Sequence, residues 1–140
     1  MKRAVVAFIV GLLAWAVVVS LIDRVLRLSL AGYAAAEPKL AFTLGMMWAR
    51  EFMAAVTSLI AGVVIGAIAP ASKITPWAVG LVLLAVFIPV HVGLWHAFPV
   101  WYHLTFLVPL APVIAVGAWL KTENTSSAML ARRAGRFCIV

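Results

Sequence analysis

Three stretches of this chain contain no Asp, Glu, Lys or Arg: residues 4–22, 52–72 and 74–120. A chain of 140 residues that folds in water has too small an interior to hide so much apolar surface, because small domains bury the smallest share of their surface. Part of its solvent must be lipid. One helix crossing the hydrocarbon core needs about 20 apolar residues, so the first two runs each supply one span. The third is long enough for two and is interrupted by "HAFPVWYH", which predicts a tight turn at Pro99. Only 11% of the residues are charged, against about a quarter in a soluble domain.

The expected fold is therefore all-α: an integral membrane four-helix bundle in up-down order. Its spans are predicted at about 4–22, 52–69, 77–98 and 102–120, within one transmembrane domain over 1–120, followed by a basic cytoplasmic tail over 121–140. The apolar run at the N-terminus is longer than the core of a signal peptide. Charges at Asp23, Arg24 and Arg27 separate it from the cleavage-like "YAAAE", and we read it as an uncleaved anchor. Between the first two spans, "DRVLRLSLAGYAAAEPK" alternates charges with leucines and ends at a proline. That pattern predicts an amphipathic segment at the outer surface.

The adjacent pair Arg50 and Glu51 fixes the start of the second span. A charge at the bilayer centre costs about 2.5–3.5 kcal/mol on insertion scales. The cheaper placement puts both at the interface and leaves the residues before them outside. Orientation follows from the basic residues. Lys2, Arg3, Lys73, Lys121, Arg132, Arg133 and Arg136 fall on one side, and Arg24, Arg27, Lys39 and Arg50 on the other. The excess makes the first side cytoplasmic, with both termini there. A bacterial inner membrane is the expected location. In this setting the net charge of +7 speaks for anionic lipid headgroups, and nucleic acid is not an expected partner.

Four groups of residues stand out. Ala54, Ser58, Gly62 and Gly66 recur every four residues, and "GVVIG" is a GxxxG. Such a ridge lets two backbones approach closely, either within this chain or between copies or subunits. Asp23, Arg24, Arg27, Arg50 and Glu51 form an outer charge cluster, with Asp23 expected to face Arg50 and Glu51 to face Arg24 or Arg27. His91 is the ionisable residue predicted to lie well inside a span, two residues after Pro89, with Thr105 or a proline-freed carbonyl as its partner. Intramembrane ionisable residues are candidates for function by default. His96 and His103 flank Pro99 and make a weak candidate metal pair. Their neighbours Trp95, Trp101 and Tyr102 belong to the amphipathic residues that settle at a membrane boundary, so the stretch reads chiefly as an anchored turn.

No phosphate loop, zinc spacing or nucleophile elbow occurs in the sequence. No catalytic residue and no cofactor is expected. The expected role is a non-enzymatic accessory or structural subunit of a membrane complex, or a homo-oligomer, with the bilayer and other membrane subunits or further copies as partners. Two alternatives stand beside it. One is a small transporter or channel assembled by oligomerisation. The other is a haem-, quinone- or metal-binding redox protein using His91, His96 and His103.

Overall fold

The structure, a computed structural model, describes residues 1–137; the side chains of Ser126 and of residues 128–137 lie outside the description, as does Cys138. The guanidinium groups of Arg132, Arg133 and Arg136, expected in the tail, fall among those. The described chain is all-helical: α1 (Lys2–Ser29), a single turn α2 (Tyr33–Ala36), a 3-10 turn Glu37–Lys39, α3 (Leu44–Ile68), α4 (Ile74–Gly93) and α5 (Val100–Phe137). Four of these helices, α1, α3, α4 and α5 through Thr125, are long and apolar enough to cross a membrane.

The helix ends differ from the expected spans in ways the local chemistry explains. α1 runs on past residue 22 to Ser29 because Asp23 and Arg27, four apart, pair along its surface at 2.8 Å. The residues from 30 to 43 then form short turns and not an amphipathic helix, with Gly32 at φ 80 and Leu40 at φ 52. Glycine meets that left-handed conformation without a Cβ penalty; Leu40 does not. α3 begins at Leu44 and passes through Arg50 and Glu51 without a break, capped by Thr43, whose hydroxyl accepts from the Met46 N–H at 3.4 Å. The pair therefore lies inside a helix and not at its start. α4 stops at Gly93, earlier than expected, and 94–99 make the reversal into α5. Pro89, Pro109 and Pro112 all remain inside helices.

In space the helices neighbour one another in the ring α1–α3–α5–α4. The short connection from α3 to α4 thus crosses the bundle's diagonal, and α3 packs most closely on α5. Glycine explains that choice. A Cβ built on Gly62 would run into the carbonyl oxygen of Ile114 and lie 3.0 Å from the Gly117 Cα, and one on Gly66 would lie 2.6 Å from the Ala118 carbonyl oxygen. Gly117 answers from the other side, meeting the Leu59 carbonyl. The two backbones are in contact, which only side-chain-free positions allow. The ridge Ala54, Ser58, Gly62 and Gly66 is buried along α3, and its glycine half is occupied within the chain by α5. A second close approach joins Gly80 of α4 to Ala111 of α5, 2.6 Å from a Cβ placed there. The apolar core runs between these contacts through Ala7, Ala61, Ile65, Val79 and Ile114, all at 0% exposure.

Candidate functional site: a buried histidine pair beside an arginine–tyrosine network

Polar side chains concentrate where the end of α1, the start of α3, the end of α4 and the start of α5 meet. Arg50 is the hub. Its Nε–H donates to the Tyr102 hydroxyl at 3.0 Å and its Nη1–H to the Tyr33 hydroxyl at 2.9 Å. The guanidinium lies 4.8 Å from the Phe42 ring centroid, a cation–π contact of a kind worth about 0.5–2 kcal/mol. Tyr33 is fully buried, and its hydroxyl donates to Asp23 Oδ1 at 3.4 Å. Burial pushes the Tyr33 phenol above its ordinary pKa, against the pull of the Arg50 charge. Arg27 then ties Asp23 to Glu37, each at 2.8 Å. The charges of this cluster are thus linked, but by a route the sequence did not suggest. Asp23 reaches Arg50 through Tyr33, and the salt bridges of Arg27 go to Asp23 and Glu37. Arg24 is exposed.

Next to this network, His91 Nδ1 and His103 Nδ1 lie 2.9 Å apart, both rings buried. His91 sits in the last turn of α4 and His103 in the first turn of α5, so the hairpin itself brings them together. Aromatic rings wall them in. Trp95 stacks on His103 at 4.8 Å, and Phe106 and Tyr102 lie 4.6 and 6.1 Å from His91. Two imidazoles joined nitrogen to nitrogen need one donor and one acceptor. His103 Nε2 is buried without a partner, and an orphaned acceptor is tolerated better than an orphaned N–H. The cheaper assignment makes His103 the Nδ1–H donor and leaves a lone pair at Nε2. His91 then receives at Nδ1 and carries its proton on Nε2. Such a pair can pass a proton between its rings, and the lone pair on His103 Nε2 is of the type that coordinates transition metals.

The other predicted residues fall elsewhere. His96 is exposed in the reversal, and His103 pairs with His91 across the hairpin. Thr105 is not the partner of His91: its hydroxyl donates to the Trp101 carbonyl at 2.8 Å. Among the described residues no group of three or more His, Cys, Asp or Glu is placed to hold a metal ion. Glu51 is buried between α3 and α5, with Oε1 unpartnered. Ser58 accepts from the Trp15 indole N–H at 3.2 Å, linking the ridge to α1. Tyr33 and Tyr102, the two tyrosines of the chain, are the members that sequence reasoning missed. A signal existed, because a buried arginine needs acceptors and the neighbouring segments offer few others.

The chain matches no protein-family model, no curated protein and no solved structure.

Proposed function

We propose that this chain is a small polytopic protein of a bacterial inner membrane, its four long helices crossing up and down with both termini in the cytoplasm. Its role is that of a non-enzymatic accessory or structural subunit, built to pack in a membrane complex or with copies of itself. One observation carries this reading: among the described residues, the part of α3 beyond Ser58 buries no polar side chain. Beyond Ser58, the residues that α3 buries are Ala61, Gly62, Ile65 and Gly66; the two glycines close directly on α5, and Ile65 lies against Gly11 of α1. The outward surface of α1 carries an unbroken ladder of exposed Val5, Ile9, Leu13, Val17, Leu21 and Val25, each four residues from the next and so beside it, in a row that winds slowly around the helix. A pore or carrier would have to be assembled from several copies.

The testing experiment is purification from the native membrane in mild detergent, followed by native mass analysis. A fixed larger partner or a defined oligomer supports the reading; a monomer that conducts ions in liposomes refutes it. Reporter fusions test the topology. Those after Val140 and within 70–76 should report cytoplasm, and one beside Pro99 the opposite side.

The second reading, a metal- or cofactor-binding redox protein, is favoured by the orphaned Nε2 of His103. A Soret band, or one stoichiometric transition metal lost in His103→Gln, would put it first.

A further inference from the structure

Glu51 takes no part in the histidine pair or the arginine network, yet it is more than nine-tenths buried, and its Oε1 has no hydrogen-bond partner. Buried polar groups are nearly always paired, and an orphan calls for an explanation such as an unseen water or ion. The carboxyl lines a small crevice between α3 and α5 of about 20 Å³, together with Ser58, Thr105 and Pro109. A void needs about 10–15 Å³ to hold one water-sized sphere, so one small guest fits.

The walls supply oxygen. The Thr105 hydroxyl lies within hydrogen-bonding reach of the Glu51 carboxyl as well as of the Trp101 and Tyr102 carbonyls; with its one proton given to a carbonyl, its oxygen keeps lone pairs for a guest. Ser58 Oγ receives the Trp15 N–H and keeps a further lone pair. Pro109 has no N–H to give the Thr105 carbonyl its helical bond, so that oxygen is released as well. One carboxylate and neutral hydroxyl and carbonyl oxygens are the donors of a hard cation. A single negative charge matches a monovalent ion. A divalent ion would want more acidic ligands, and no cluster of three or more acidic, His or Cys residues exists among the described residues. Arg50, the neighbouring charge, does not fill the role, because its guanidinium is committed to Tyr33 and Tyr102.

We propose that the crevice bounded by Glu51, Ser58, Thr105 and Pro109 binds one small monovalent cation, of the sodium type, on the Glu51 carboxylate. The proton is its competitor for the same oxygen. This site is independent of the role as a packing subunit and stands or falls by itself.

The test uses the full-length protein in detergent and a hydrophobic carbodiimide, which reacts with protonated carboxyls reachable from an apolar phase. The adduct is located by peptide mass analysis. At mildly acidic pH and without sodium, Glu51 should be modified, and Glu51→Gln should remove the adduct. Sodium chloride, but not choline chloride at equal ionic strength, should suppress the labelling several-fold. Ser58→Ala and Thr105→Val should raise the sodium concentration needed. Melting gives a second readout: sodium should raise the Tm of the wild type and leave that of Glu51→Gln unchanged. Labelling indifferent to sodium overturns the proposal, as does failure of Glu51 to label at any pH without sodium.

Discussion

Gly62→Ala is the smallest change that tests how the bundle is held together. The added methyl would lie 3.0 Å from both the Ala118 nitrogen and the Gly117 Cα, and against the Ile114 carbonyl oxygen. All of these are backbone atoms, so no side chain can swing aside. Either α3 and α5 separate or the helix bends, and both open contacts around Ala61, Ile65 and Ile114. Overpacking of this kind costs about 1–3 kcal/mol, and a backbone neighbour places it toward the upper part. Alanine returns about 1 kcal/mol of helix propensity, so the net loss should be about 1–2 kcal/mol. Gly93→Ala is the matched control, because a Cβ there meets nothing within 4 Å and only the propensity gain acts. Gly62→Leu should be worse than Gly62→Ala, whereas Val63→Leu, on the partly exposed side, should stay within about 0.5 kcal/mol. Reversible unfolding in mixed micelles, followed by far-ultraviolet circular dichroism, measures all four. If Gly62→Ala is as stable as Gly93→Ala, the α3–α5 contact is not what holds these helices, and the reasoning fails.

The histidine pair should behave as a unit. His91→Phe or His103→Phe alone strands one ring nitrogen, at about 1–3 kcal/mol, while the double change removes both polar atoms and should cost less than the sum; strict additivity in the cycle would show that the rings do not interact. Arg50→Lys keeps the charge but not the fork that reaches Tyr33 and Tyr102 together. It should lose about 1.5–3 kcal/mol in the same unfolding assay, and wild-type stability would mean that charge alone suffices. Tyr33 gives a pH dependence. Its folded pKa is raised, so its contribution is intact below the unfolded value of about 10 and is lost as pH rises through the folded value. Stability measured up the alkaline limb should fall more steeply in the wild type than in Tyr33→Phe, and parallel curves would contradict the burial argument.

Hydropathy made the helical class and the number of long apolar helices legible, because an uncharged run of sufficient length has few alternatives. The ridge was legible as a place of close approach, but its partner was not. Gly117 stands alone in "AVGAW", and only the crossing of α4 over the diagonal brings it to Gly62. The histidines were harder still. Pro99 suggested a turn centred on itself, which set His96 against His103. The reversal in fact occupies 94–99, which leaves His91 and His103 nearly equidistant from its middle and therefore opposite each other. For Arg50 the cost was reckoned as for an isolated charge. Two tyrosines from distant segments supply acceptors that no local window contains.

These features divide the bundle into two kinds of adhesion. Helices in lipid gain little from burying apolar side chains against each other, since the acyl chains are equally apolar. What remains is backbone-close packing and interhelical hydrogen bonding. One half of the bundle uses the first, through Gly62, Gly66 and Gly117 and through Gly80 on Ala111. The other uses the second, through Arg50 with two tyrosines and through His91 with His103. Trp15 on Ser58 lies where the two meet. Loosening the glycine half should therefore splay α3 from α5 and open the Glu51 crevice, which those same two helices bound, while leaving the hairpin that carries the histidines intact. Packing in one half and access to the Glu51 crevice in the other are then linked through α3 and α5, which take part in both.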